Sequence, residues 1–341
     1  MYYICRKLNP MKNLAFIFMV VAFLAGCGNK SQDKQTDKLK GNISISGAFA
    51  LYPMAQKWAE EFMKENPDVK IDISAGGAGK GMTDVLNGMV DMAMFSRSVS
   101  PEEESNGAWK IAVAKDVVLP TINAKNPVYA ELMTRGLTKE EFKKIYVTQE
   151  IKDWSQLKLK GGGAINLFTR SDACGAAEMW AKFMNGEQAD LKGVGVFGDP
   201  GIADAVKNDI KGVGFNNIIY AYDYKTGKIQ DGIGIIPIDI NGNGKIDPEE
   251  NLYSDMKLLT GAIRDGKFPE PPARPLYFIC KGKPQNQLVV AFLKYILTTG
   301  QQWVEESGYV KLPETMIATE QKKLVFCKQK TAYEITRAAA G

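Results

Sequence analysis

Three short segments of this sequence put glycine and other small residues where a strand should hand over to a helix. They are Ser46-Gly47-Ala48-Phe49-Ala50-Leu51-Tyr52-Pro53, Ser74-Ala75-Gly76-Gly77-Ala78-Gly79-Lys80-Gly81 and Thr169-Arg170-Ser171-Asp172-Ala173-Cys174-Gly175-Ala176-Ala177-Glu178. A helix start leaves backbone N–H groups without intrahelical acceptors and carries the positive end of the helix dipole. Several such starts facing one cleft make a site for a small anion that needs no metal. Lys80 and Arg170 add positive charge, and the planar guanidinium of Arg170 suits a bidentate oxyanion contact. Each segment alone also reads as an ordinary strand-to-helix turn, with glycine there for positive φ or close packing. Their joint occurrence points to a site.

A fourth segment carries different chemistry. Asp239 to Glu250 reads DINGNGKIDPEE and fits the calcium-loop template at every specified position. Asp239, Asn241 and Asn243 offer side-chain oxygens, Lys245 its carbonyl, and Glu250 a bidentate carboxylate, with Asp247 acting through water. Gly244 supplies the sharp turn and Ile246 the apolar plug. Asn stands twice in place of an acid, so the loop is expected to hold a structural Ca2+ with modest affinity. A plain Asn/Gly/Asp turn after a strand at Ile233 to Ile238 is the alternative. Cys174 falls at an expected helix start, where a thiol pKa drops. The chain has no histidine, however, which removes Ser–His and Cys–His nucleophiles and His-ligated metals. A small packing residue is the better reading, and the chain is not expected to be an enzyme.

The 341 residues are 45% hydrophobic and 24% charged, with a net charge of +4. That is the balance of a folded soluble protein, and the charge bias is too weak to argue for nucleic acid. Lys12 and the apolar run Leu14 to Gly26 precede Leu24-Ala25-Gly26-Cys27, which reads as a bacterial lipobox. Residues 1–27 are therefore expected to be a lipoprotein signal peptide with Met11 as its true start, Cys27 to carry the lipid, and 28–42 to form a flexible tether. The chain then sits in the periplasm or at the cell surface, anchored to a membrane. The tail at 327–341 includes KQKTAYEI, which reads as a translated sequencing adaptor and not as native protein. Cys174 and Cys280 are the cysteines left in the body, and the sequence leaves their pairing open.

The elements that would position these segments alternate between strand and helix. Ile43 to Ser46, Val69 to Ser74 and Met92 to Phe95 read as strands, with helices at Tyr52 to Asn66 and Gly81 to Gly88 between them. That order argues a parallel sheet with helical crossovers. The apolar segments Lys115 to Asn126 and Arg274 to Gly282 are suited to cross between two lobes as a hinge, with the ligand cleft between them. Lobe one is then 43–121 with 277–325, and lobe two 122–276 with the calcium loop inserted at 239–250.

With these segments in place, the chain resembles the phosphate-binding protein of ABC phosphate transporters, within the type II periplasmic binding protein fold. The resemblance runs from about Gly41 to Pro313 and is carried by SGAFALYPMAQKWAEEF, SAGGAGKGMTDVLNGMVDMAMFSR, GLTKEEFKKIYVTQEIKDWSQL, RSDACGAAEMW and TTGQQWVEESGYVKLP. It implies an α/β fold of two lobes, each a mainly parallel sheet flanked by helices and joined by two hinge strands. It also implies a monomer that delivers phosphate or a related small anion to ABC permease subunits. The family's anion loops fall on Ala50 and Leu51, on Ala78 and Gly79, on Ser96 and Arg97, and on Arg170, Cys174, Gly175 and Ala176. This chain departs from the family pattern in one direction. Ala50, Ala78, Cys174 and Ala176 replace residues that are usually Thr or Ser, and Arg97 replaces the Asp that accepts a phosphate proton in many members. A ligand-sensing or scaffold protein on the same fold is the alternative reading, and an extracellular phosphatase-like enzyme is a third.

Overall fold

The computed structural model describes residues 38–325; the signal peptide, Cys27, most of the tether and the tail 327–341 lie outside the described residues. The chain builds β1 (Gly41–Gly47), α1 (Tyr52–Glu65), β2 (Val69–Ala75), α2 (Ala78–Leu86), β3 (Met92–Phe95), α3 (Pro101–Ser105) and the long β4 (Ala108–Asn123). Next come α4 (Tyr129–Arg135), α5 (Lys139–Tyr146), β5 (Asn166–Arg170), α6 (Gly175–Phe183), β6 (Val194–Val196), α7 (Gly198–Asn208) and β7 (Gly212–Asn217). The last are α8 (Ile218–Ala221), β8 (Ile233–Ile235), α9 (Met256–Arg264), β9 (Ala273–Lys281), α10 (Gln287–Ile296), α11 (Gln302–Glu306) and α12 (Glu314–Lys323).

Among the described residues the strands run in the order β2-β1-β3-β9-β4-β7-β5-β6, with β8 on β4. Each lobe has a parallel centre, β2-β1-β3 in lobe one and β7-β5-β6 in lobe two. The antiparallel pairings belong to the strands that join the lobes and to β8. β4 pairs with β9 from Ala108 to Val117 and takes β7 as partner from Val118. β9 pairs with β4 from Ala273 and with β3 of lobe one from Tyr277.

Local sequence accounts for the elements. In α1 the buried residues Met54, Ala55, Trp58, Ala59 and Phe62 lie along one face, and Pro53 sits in the first turn, where its missing N–H costs nothing. α3 and α5 open with capping boxes, Ser100 with Glu103 and Thr138 with Glu141. β4 is buried on both faces from Val117 to Asn123, the mark of a strand covered on both sides. Lobe two closes around Phe142, Tyr146, Trp180, Phe183 and Phe215, whose rings meet edge-on or stacked. Helix α2 begins at Ala78, earlier than the expected Gly81, because Gly77 takes φ 91° as its N-cap and lets the glycine run itself enter the helix. Between Gln287 and Glu306 the chain forms α10 and α11, separated by a 3-10 turn at Thr299–Gln301.

Candidate anion site between the lobes

Each of the three small-residue segments ends a parallel strand and opens a helix, as its spacing predicted. After β1, a 3-10 turn at Phe49–Leu51 leads into α1, with Ala50 and Leu51 buried and no side chain capping either start. The hydroxyl of the buried Tyr309 donates to the Ala50 carbonyl at 2.8 Å and fixes this turn from the late GYVKLP segment. After β2, α2 starts at the buried Ala78 with no side-chain cap and no acid in its first turn. After β5, Cys174 is the N-cap of α6, and its Sγ accepts the Ala177 N–H at 3.4 Å; Gly175 and Ala176 follow, both buried. Sulfur is a weak acceptor, so this cap is a poor one.

The three starts meet where the lobes touch. The Gly79 N–H in lobe one donates to the Ala173 carbonyl in lobe two at 3.2 Å. A Cβ on Gly175 would stand 2.1 Å from the carbonyl oxygen of Ser96, so this approach of α6 to the end of β3 demands glycine. The Tyr220 hydroxyl donates to the Phe49 carbonyl at 3.3 Å. The Phe49 ring lies 5.6 Å from the Arg170 guanidinium and 5.8 Å, edge to face, from Phe197. Ala50, Leu51, Ala78, Gly79, Ser96, Gly175 and Ala176 therefore stand on one seam between the lobes.

The charged groups divide sharply. Arg170 is at this seam, its side chain 1% exposed, and it is held from two sides. Its Nε and Nη2 donate to the two carboxylate oxygens of Asp172 at 2.8 and 2.6 Å, and Nη1 donates to Asp199 at 2.6 Å. Burial opposes the charge, but Asp199 and Asp172 outweigh it and keep Arg170 firmly protonated. Arg97, by contrast, is engaged by carboxylates of both lobes. It makes a two-pronged pair with Glu103 and a 3.2 Å contact with Glu178 of lobe two, and it lies over Phe95. It thus acts as a tie between lobes. Lys80 is likewise turned onto Asp84, which also accepts from Ser46. Burial pushes the Cys174 thiol up to about 12 even with Arg170 nearby, so it is no thiolate nucleophile. Cys174 and Cys280 are both free thiols.

Several residues that build the site carried no evident signal. Asp199-Pro200-Gly201 reads as a turn, yet it forms the first turn of α7, and Asp199 is buried between Arg170 and the Asn217 side chain. Proline right after an acid, following a short strand, is the pattern of a helix start and is the cue that points there. Arg274 and Asp116 form a second buried pair, at 3.2 Å, on the strands that join the lobes. Burial raises the Asp116 carboxyl to about 6, against the pull of Arg274.

The Asp239–Glu250 loop satisfies itself. Asp239 accepts the N–H groups of Gly242 and Gly244 at 2.7 and 2.8 Å. Glu250 accepts those of Ile240, Asn241 and Asp247. The Asn241 and Asn243 amides donate to Asp247, which Lys245 also pairs at 2.7 Å, while the Asn243 carbonyl oxygen of the side chain accepts the Lys245 N–H. Ile246 packs under Gly136. Asp239 and Glu250 are buried carboxylates with neutral partners, which is a donor set a divalent ion can use. Among the described residues, however, no three acidic, Cys or His side chains gather at metal-ligating distance.

The fold and the seam define a two-lobed binding protein, and comparison with known proteins agrees. The chain matches the PBP superfamily domain over residues 32–299 and belongs to that family. It is 33% identical over 174 residues to the phosphate-binding protein PstS of Bacillus subtilis, a match that covers 49% of this chain and 55% of that relative. To the phosphate-binding protein PstS of Staphylococcus saprophyticus it is 24% identical over 315 residues, covering 90% of each. In structure it resembles an ABC-type phosphate transport receptor from Vibrio cholerae, with a TM-score of 0.57 at 19% identity, over 80% of this chain and all of that one. The two PstS relatives are phosphate-binding proteins by name. Among the described residues, no helix is long and apolar enough to cross a membrane.

Proposed function

We propose that this chain captures phosphate, or a small anion of similar shape, between its lobes outside the cytoplasm and passes it to an ABC importer. One observation carries the reading: three helix starts from two lobes, none capped by a carboxylate, converge on one seam beside a buried arginine. The relatives' names supply the anion and the transport system; the geometry supplies donors suited to it. Arg170 has five N–H groups, of which Asp172 and Asp199 engage three, and the other two are free to meet an oxyanion. Backbone amides at Ala50, Ala78, Gly175 and Ala176 would complete the cradle, with Ser96 as its hydroxyl. A hydrogen bond to a charged group contributes about 1.5–3 kcal/mol, so alanines where relatives of this class carry hydroxyls should weaken capture by orders of magnitude, unless the anion sits deeper against the amides.

Calorimetric titration with phosphate, sulfate, molybdate, tungstate and short carboxylates tests the reading. Heat with one of them, at micromolar concentrations, supports it; silence with all of them sinks it. The tether to the membrane through Cys27 belongs to the same proposal and is checked by detergent partitioning of the wild type against Cys27→Ala. A structural Ca2+ in the Asp239–Glu250 loop is proposed on the buried Asp239 and Glu250 carboxylates. A melting temperature identical in calcium and in chelator would remove it.

A further inference from the structure

Arg274 stands where the two strands that join the lobes run side by side. Its register partner in β4 is Asp116, next to the last pair before β4 leaves β9 for β7. Both side chains are fully buried, 2% and 0% exposed. The guanidinium makes three connections at once. Nη2 donates to Asp116 Oδ2 and to the Asn217 side-chain oxygen, and Nη1 donates to the carbonyl of Gly175, the first residue of α6. From Asn217 the chain of contacts continues: its Nδ2 donates to Asp199 Oδ1 at 2.7 Å, and Asp199 Oδ2 accepts from Arg170 Nη1 at 2.6 Å. Asp116, Arg274, Asn217, Asp199 and Arg170 thus form one buried line from the joining strands to the seam.

A buried arginine is held where its charge is met and its N–H groups are bonded; in Arg274 the two terminal nitrogens are bonded and Nε is without a partner. Here the groups that meet it belong to a joining strand, to the end of β7 and to the first turn of α6. Rotation of one lobe on the other must break or re-form these contacts. We infer that Arg274 is a positioning residue for solute capture, which sets the orientation of the α6 start by the angle at the joining strands. It touches no solute itself. Its purpose rests on the anion reading above, but its test does not.

The two buried free thiols report the motion. Cys174 lies at the seam beside Gly175, whereas Cys280 lies within β9 against the core of lobe one. Opening of the lobes exposes Cys174 alone; unfolding exposes both. The full chain, without added anion, is treated with N-ethylmaleimide, and labelling at each cysteine is followed by mass spectrometry. Loss of a charge-assisted contact corresponds to roughly tenfold or more in an equilibrium, so Arg274→Gln should raise the Cys174 labelling rate about tenfold while Cys280 stays protected. Wild-type protection of Cys174 in a folded Arg274→Gln protein overturns the inference. Should that variant expose both thiols, Arg274→Lys decides, because it keeps the charge and lacks the planar fork. Selective labelling of Cys174 in Arg274→Lys supports the inference; wild-type protection, or labelling of both thiols there too, overturns it. A parallel phosphate titration of the wild type separates the two questions, since absence of binding defeats the anion reading and leaves the labelling result to judge the coupling alone.

Discussion

The inter-lobe seam and the Asp239–Glu250 loop solve one problem in opposite ways. Both gather backbone N–H groups that secondary structure cannot satisfy. The loop supplies its own anions: Asp239 and Glu250 reach back and accept from Ile240, Asn241, Gly242, Gly244 and Asp247. At the seam no carboxylate caps the starts of α1, α2 or α6. Its acids, Asp172 and Asp199, are spent on Arg170, and its helix starts begin with Leu51, Gly77 and Cys174 as N-caps. A self-satisfied loop is a structural device, whereas amides left open beside a buried cation are receptive to a solute. The difference is one of where the charge goes, and it can be probed from either side.

The largest effect should come from Arg170→Gln. It would leave the buried Asp199 and the half-buried Asp172 with no cation between them, and breaking a buried pair from one side costs about 3–5 kcal/mol. Denaturant unfolding measures this directly, and a loss under about 1 kcal/mol would mean that the carboxylates are not dependent on Arg170. In the loop, Asp239→Asn removes the charge that two short N–H contacts rely on, for an expected loss of about 1.5–3 kcal/mol. Anion binding at the seam should not change with it. A fall in anion affinity on Asp239→Asn would break the separation of the two regions.

Gly175→Ala tests the seam without touching a charge. Its Cβ would press on the Ser96 backbone, which cannot yield as a side chain can, so the closed arrangement should lose about 1–3 kcal/mol. Gly175 is itself the first helical residue, where alanine is the better helix former. Anion affinity is therefore expected to fall about tenfold while the melting temperature of the anion-free protein holds or rises. Parallel loss of both would mark ordinary misfolding.

How far the sequence led differs between these regions for physical reasons. Strand and helix order was legible, because apolar spacing in α1 and the alternating segments of lobe one obey local rules. The amide-bearing starts at Ala50, Ala78 and Gly175 were legible too, since small residues at a strand end leave a trace. Arg170 could be seen as a cation, but its partner Asp199 could not, for it comes from another helix and the residues around it look like a turn. Arg97 falls on one of the family's anion loops, yet no spacing rule reveals that Glu103 and Glu178 pair with it. Asp116 and Arg274 meet only through strand pairing, 158 residues apart in the chain. Partners set by tertiary contact leave no local mark.

Acid should separate the regions further. The Asp116 carboxyl, raised to about 6 by burial, holds its proton more tightly in the folded protein than in the unfolded chain. Stability at the joining strands therefore rises as pH falls from about 6 toward 3.8, and Asp116→Asn should lose that rise. Asp247 behaves inversely. Lys245, with Asn241 and Asn243, holds it near 2, so its contribution is complete above 3.8 and disappears as pH falls through about 2. Unfolding curves taken across this range in the wild type, Asp116→Asn and Asp247→Asn check both signs. A wild type whose stability only falls from pH 6 to 4, in step with the variant, would refute the raised carboxyl.

The smallest change argued from the comparison is one atom. Cys174 caps α6 through sulfur, at 3.4 Å from the Ala177 N–H, where oxygen would accept more strongly. Cys174→Ser keeps the small volume and offers a hydroxyl that accepts from Ala177 while its own O–H can turn toward the seam. A sound N-cap contributes about 1 kcal/mol, and part of that is lost to the smaller atom in a packed place, so a gain of about 0.5 kcal/mol is expected. The solute gains one donor, and anion affinity should rise a few-fold. Calorimetry on the two proteins reads this against an unchanged enthalpy for the Asp239→Asn variant. An affinity equal to or below that of the wild type would mean that the anion does not reach position 174, and the cradle would have to be redrawn around Ala50, Ala78 and Arg170 alone.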